Sequence, residues 1–166
     1  MPYVEGVGRA VMEEPRDPAD EARSCNAGAI RKASRRLTQL YDDALEQCGL
    51  RSTQYTLLLE IDRRSGEPPT MAELAQALVM DRSALGHKLR PLERDGLIAL
   101  QESEADRRRR HVVMTPEGRA KLLVARQLWQ TAQDRFDAVF GSAEADKLRR
   151  ILLGIAYDER LAALRD

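Results

Sequence analysis

Cysteine and histidine are scarce in this chain of 166 residues, with only two of each. Cys25 and Cys48 fall at the two ends of one helical repeat. At ~1.5 Å per residue that spacing puts them roughly 35 Å apart, far beyond the ~7 Å between Cα atoms that a disulfide tolerates. Two free thiols suit a reducing compartment, and with only His87 and His111 besides there is no Cys/His cluster at zinc spacing. Aromatics are only 4% of the chain, so a core must be built mainly from Leu, Ala, Ile and Val, which favours helix packed on helix. No apolar run approaches the ~20 residues that span a bilayer. The first residues, MPYVEGVGRAVMEEPRDPADEAR, lack a basic stretch leading into an apolar segment, so no secretory signal is expected and the cytoplasm is the expected location. There is no Gly-rich phosphate loop, and no Ser or Cys with an evident base and orienter, so an enzyme is not expected and no cofactor is implied. Net charge is lacking too: 27 basic side chains cancel 27 acidic ones. Any electrostatic role has to be local.

What is present is a sequence of helical repeats interrupted once. Residues 1–22 hold three prolines and no sustained period, and read as a flexible arm. From about Ser24, Ile30, Ala33, Leu37, Leu40, Tyr41, Ala44 and Leu45 recur at steps of three and four, an apolar stripe on a long helix stopped by Gly49. A second helix is expected from Ser52 as its cap, through Tyr55, Leu58, Leu59 and Ile61 to Ser65-Gly66. Glu67-Pro68-Pro69 is an extended linker, because each proline disfavours the helical region for its predecessor. Two short helices follow. Thr70 and Glu73 form a capping box for the first, with Met71, Leu74, Ala75 and Leu78 inward. Asp81 caps the second, with Leu85, Leu89 and Leu92 inward, ending at Asp95-Gly96. Beyond Gly96 the period shortens to that of strands, Leu97–Leu100 and His111–Met114 around the polar stretch QESEADRRRR, a hairpin. Thr115 caps and Pro116 opens a long helix through Leu122, Leu123, Leu128, Trp129, Phe136 and Phe140. Ser142 is expected to cap a last one bearing Leu148, Ile151, Leu152, Ile155 and Leu161.

Two short helices and then a hairpin make a winged helix-turn-helix, here flanked by long helices: a mainly α fold with one small β-hairpin. The second short helix, DRSALGHKLR, exposes Arg82, Ser83, Gly86, His87, Lys88 and Arg90 between its buried leucines. Arg and Lys match guanine O6 and N7, Ser pairs with either kind of edge, and Gly86 permits close backbone approach. Pro91 removes the amide that would bond the carbonyl of His87. Between positions 82 and 94, Arg82, Lys88, Arg90 and Arg94 face only Glu93. Arg107, Arg108, Arg109 and Arg110 crowd the hairpin, where an arginine suits a minor groove and the others suit phosphates. Asp106 is read as an internal partner that orients one of them. A basic helix on its own is more often a solvated face; the arginine-rich hairpin beside it shifts the balance toward DNA.

The stretch DRRRRHVVMTPEG resembles the wing signature of the MarR family of transcriptional regulators: Asp-x-Arg, then, after five residues, Leu-Thr-x-x-Gly. Asp106 and Arg108 supply the first part; Met114, Thr115 and Gly118 supply the second, with Met in place of Leu. LAQALVMDRSALGHKLRPLERDGLI and GLRSTQYTLLLEI resemble the same family's helix-turn-helix and the helix before it, and the likeness runs over roughly residues 25–165. It implies a homodimer built by residues 23–50 and 116–166, a DNA-binding domain at 51–115, and recognition helices about 34 Å apart on a pseudo-palindromic double-stranded operator. It also implies a repressor released by a small-molecule effector, commonly an aromatic carboxylate of the kind met in aromatic catabolism. Cys25, Asn26, Ile30, Tyr55, Leu58 and Trp129 are the candidates to line an effector pocket, although core packing accounts for each of them as well. Two other readings stand beside this one. Cys25, at a helix start where a thiolate is favoured, is a candidate redox sensor, but Tyr41 is the nearest tyrosine on its helix. A winged helix that binds protein instead of DNA is the third; the basic helix and wing argue against it.

Overall fold

In the computed structural model the described residues are 24–64, 66–102 and 109–163. The chain divides into two compact units, Met1–Leu37 and Thr38–Asp166. The described part of the first is helical, and the boundary falls within helix α1, Asn26–Leu45. In this unit Ile30 and Ala33 of the expected stripe are exposed and Leu37 is half-buried. The arm expected at residues 1–22 lies outside the described residues.

The second unit continues α1 into a 3-10 turn, Glu46–Cys48, closed by Gly49 with φ of 70°, a left-handed conformation that glycine adopts without penalty. Helices α2 (Ser52–Asp62), α3 (Met71–Ala77) and α4 (Arg82–Arg94) follow. Strands β1 (Ile98–Glu102) and β2 (Arg110–Met114) pair antiparallel, Ile98 opposite Met114 and Glu102 opposite Arg110. Helices α5 (Pro116–Phe140), α6 (Ser142–Ala156) and the short α7 (Glu159–Ala162) complete it. This is the winged helix-turn-helix with long flanking helices that the periodicity predicts.

The core gathers one leucine-rich face from every element of the middle of the chain. Leu45, Leu58, Leu74, Leu85, Leu92 and Val112 are completely shielded, and Leu57, Ile61, Leu89, Ile98, Met114 and Leu122 nearly so. Burying a Leu or Ile side chain is worth about 1.5–3 kcal/mol, so these twelve residues dominate the stability of the module. Among the described residues no polar or charged residue is buried. Polar contacts tie the elements at the surface instead: Arg126 meets Asp62 at 2.7 Å, and the Lys121 ammonium donates to the Cys48 carbonyl at 3.0 Å.

The helix starts show where local chemistry decides and where it does not. Thr70 accepts from the Glu73 amide while the Glu73 carboxylate accepts from the Thr70 amide at 2.8 Å, the reciprocal box read from the sequence. Asp81 accepts from the Ala84 amide at 2.7 Å, and Thr115 from the Gly118 amide at 3.0 Å. Two expected caps are displaced by one residue. Ser52 is the first residue of α2, preceded by extended Arg51, and its amide donates to the Asp42 carboxylate of α1 at 2.7 Å. Ser142 likewise opens α6 behind Gly141, whose φ is 83°. Helix α2 ends at Asp62, not at Ser65-Gly66. The last helix also stops early, at Ala156, because Asp158 caps a separate turn by accepting from the Arg160 amide at 3.0 Å. Leu161 therefore lies on α7, not on α6.

Candidate nucleic-acid interface

Helix α4 turns Leu85, Leu89 and Leu92 into the core, which leaves the other sides of the helix outside. Arg82, Ser83, His87, Lys88 and Arg90 are exposed and Gly86 is half-buried. The helix passes through Pro91 without a break. The Arg90 guanidinium donates to Nδ1 of His87 at 3.3 Å. Since arginine has no acceptor, this imidazole nitrogen is the accepting one, and the two side chains form one unit on the exposed surface. A Cβ added to Gly86 would meet nothing within 4 Å. The fold itself does not require glycine there.

The turn before α4 is unusual. Val79 has φ of 52°, the one non-glycine residue with positive φ among the described residues. Its amide donates to the Gln76 carbonyl and that of Met80 to the Ala75 carbonyl, the paired bonds that close a helix around a left-handed residue. Glycine or asparagine normally fills that position, and a β-branched residue there is strained.

The hairpin is longer and better anchored than the sequence suggests. Gln101, Glu102 and Arg110 belong to the strands, so Arg110 is a strand residue and not part of the tip. The Pro68-Pro69-Thr70 linker adds a third edge: the Val112 amide donates to the Pro69 carbonyl at 2.8 Å, Thr70 bridges to His111, and His111 Nδ1 meets the Pro68 carbonyl at 2.8 Å. The carbonyl can only accept, so this Nδ1 carries the proton. His111 is thus a wing anchor, marked in the sequence only by a polar ring within an apolar run. On the other side, the Thr115 hydroxyl donates to the Gly96 carbonyl at 2.7 Å. A Cβ on Gly118 would collide with the Leu97 carbonyl and lie 2.8 Å from Met114 Sδ. Gly118 is therefore required by the close approach of α5 to the hairpin base. Asp106, Arg107 and Arg108 lie outside the described residues; Arg109 and Arg110 are exposed.

A cleft of about 520 Å³ opens between this hairpin and the first turn of α3, lined by Thr70, Met71, Ala72, Glu73, Arg109 and Arg110, with Arg82 of α4 also in its lining. A second, of about 500 Å³, shares Thr70, Glu73 and Arg109 and adds Arg63, Arg64 and His111 among others. Glu73 stays ionised below the usual carboxylate range, chiefly because the Thr70 amide and then its hydroxyl donate to it.

The residues expected to line an effector pocket fall in both units. Cys25, Asn26 and Ile30, in the first, are exposed. The Cys25 sulfur accepts from the Gly28 amide at 3.3 Å. In the second, Leu58 is fully shielded and Tyr55 nearly so. The half-buried Trp129 ring stacks on Tyr55 at 5.9 Å and on Tyr41 at 6.3 Å between centroids. Burial raises the hydroxyl pKa of both tyrosines. Tyr41, whose hydroxyl donates to Gln133 at 2.7 Å, completes this cluster from the apolar stripe of α1.

Comparison with known proteins agrees with this geometry. The model of the MarR family matches residues 49–109. The transcriptional regulator MosR of M. tuberculosis, solved in complex with DNA, is 31% identical with a TM-score of 0.76, the alignment covering 86% of this chain and 100% of that one. The transcriptional repressor CouR, solved on a 23-mer DNA duplex, is 26% identical with a TM-score of 0.74, covering 86% and 99%. The transcriptional activatory protein BadR of Rhodopseudomonas palustris is 31% identical over 105 residues, which span 62% of this chain and 56% of that protein. The chain belongs to the MarR family and is a DNA-binding transcriptional regulator of the winged helix-turn-helix class. Among the described residues no helix is long and apolar enough to cross a membrane.

Proposed function

We propose that this protein is a cytoplasmic repressor that binds a pseudo-palindromic operator as a homodimer and leaves it when a small aromatic or carboxylate effector binds. The observation that carries the DNA part is the exposed row Ser83, His87, Lys88 and Arg90 on a helix whose opposite face is locked into the core. A rigid helix with exposed donors is what base reading in a major groove needs. Arg107–Arg110 serve the wing, with Arg108 entering the minor groove and Asp106 orienting it. The domain at 51–115 does the binding, and residues 23–50 and 116–166 build the dimer.

Repression and not activation is favoured by the match to CouR along nearly its whole length, whereas the match to BadR spans 56% of that protein. CouR has also been solved with p-coumaroyl-CoA, which supports an aromatic effector. The homodimer rests on apolar surface: Val139, Phe140, Ile151, Leu153, Ile155 and Leu161 are between 45% and 82% exposed, a concentration that marks an interaction face.

A gel-shift titration on a duplex selected from random sequence by the protein tests the reading. Arg108→Ala is expected to weaken binding at least tenfold with the dimer intact, and p-coumaroyl-CoA or p-coumarate to release the wild type. Undiminished binding by Arg108→Ala would remove the wing from the interface. A second reading is favoured by the hydrogen bond from the Gly28 amide to Cys25: release through oxidation of that exposed thiol. Peroxide-driven release that persists in Cys25→Ser would rule out this thiol.

A further inference from the structure

The cleft between the hairpin and the start of α3, which Arg82 of α4 also lines, bears on how DNA lies. Resting on the DNA-binding reading above, a helix in the major groove and a hairpin in the neighbouring minor groove straddle one sugar-phosphate strand, the wall between the two grooves. That strand has to pass between the two elements, and the cleft of about 520 Å³ at the start of α3 is lined from both, by Arg82 of α4 and by Arg109 and Arg110 of the hairpin. Its lining suits a polyanion: Arg82 from the first turn of α4 and Arg109 and Arg110 from the hairpin converge on it, with Thr70, Met71, Ala72 and Glu73 beneath. Three guanidinium groups from two separate elements face one carboxylate. Guanidinium groups bind phosphate oxygens through paired N–H donors.

We propose that this cleft is the seat of the strand dividing the grooves, in which Arg82 clamps a phosphate, with Arg110 opposite, and Glu73 limits the affinity. This moves Arg82 out of the base-reading row. It is the first residue of α4, and its side chain lines the cleft, separate from the surface that carries the Arg90–His87 unit. Glu73 is fixed in place, since its carboxylate accepts from both the amide and the hydroxyl of Thr70 at 2.8 Å. A carboxylate held beside a phosphate repels it at any sequence, so Glu73 weakens all DNA binding alike.

The test compares a duplex selected by the wild type with a scrambled duplex of equal length, by fluorescence anisotropy over a salt series. Arg82→Ala, which removes one contact from each protomer of the dimer, is expected to weaken both duplexes by the same factor, at least roughly five- to tenfold near 0.1 M salt, and to flatten the slope of log K against log salt by about 1.8. Glu73→Gln keeps the capping box, because glutamine accepts equally at that position; it is expected to tighten both duplexes about threefold with an unchanged circular dichroism spectrum. Loss confined to the selected duplex with an unchanged slope in Arg82→Ala would make Arg82 a base reader and overturn the seat. Unchanged affinity in Glu73→Gln would place the strand elsewhere. Failure of the wild type to bind either duplex would instead remove the DNA reading beneath the proposal.

Discussion

Helices α4 and α6 carry the same kind of apolar repeat and treat it in opposite ways. Leu85, Leu89 and Leu92 of α4 are at most 2% exposed, whereas Ile151, Leu153 and Ile155 of α6 are 45–51% exposed. Helix α5 contains the contrast within itself: Leu122 and Ala125 near its start are buried, and Val139 and Phe140 at its end are not. The winged module is complete within one chain, since each apolar face finds a partner on another element. The terminal helices are unfinished, and the dimer proposed above supplies what they lack. An apolar repeat therefore specifies that a face will be covered, not by which chain.

The contrast can be broken first at its tightest point. Gly118→Ala forces a methyl group into the Leu97 carbonyl, a backbone group that cannot swing aside as the Met114 side chain can. We expect a loss of about 3 kcal/mol or more in denaturant unfolding. Wild-type stability would show that α5 can shift away from the hairpin without cost.

Matched truncations sharpen it next. Leu89→Ala should cost about 3 kcal/mol, while Val139→Ala, at a site 82% exposed, should change the stability of the monomer by less than about 0.5 kcal/mol. Under the dimer reading Ile151→Asp with Ile155→Asp halves the mass found by light scattering and leaves the helical content in place. A dimer that survives both charges would move the interface elsewhere.

Two smaller effects separate function from fold within the DNA-binding region. A methyl group at Gly86 meets open space, so Gly86→Ala should raise stability by about 1 kcal/mol by removing a glycine from a helix interior. The same change should weaken DNA binding, if close approach of the backbone is what the glycine serves. Equal DNA affinity would leave Gly86 without a role at the groove. Val79→Gly relieves a left-handed β-branched residue and should stabilise the turn by about 0.5–1 kcal/mol; a lower melting temperature would show that the exposed valine makes contacts worth more than its strain.

Most of this fold is legible in the sequence because its signals are local. Thr70 with Glu73, Asp81, and Thr115 with Pro116 each answer a need of the first helical turn, and the structure uses all of them. Reading fails where a distant group decides. Ser52 loses the cap because Asp42, ten residues earlier and on another helix, supplies the acceptor for its amide. Pro68 and Pro69 look like a spacer but serve as the third edge of the wing, since their carbonyls receive His111 and Val112. Val79 carries no turn signal at all; its conformation is imposed by the helices on either side. At the interface the row on α4 was readable from its spacing. The cleft was not, because Arg82 and Arg110 come together only when α4 and β2 pack on one core.

The central claim is that α4 and its wing grip DNA largely through phosphates, although the chain has no net charge. The most direct test is the salt dependence of wild-type binding to a duplex selected from random sequence. If the claim holds, log K falls linearly with log salt at about −0.9 for each phosphate neutralised, giving a slope of roughly −5 when Arg82, Arg109 and Arg110 of both protomers take part. Affinity that stays level across the same range would contradict it.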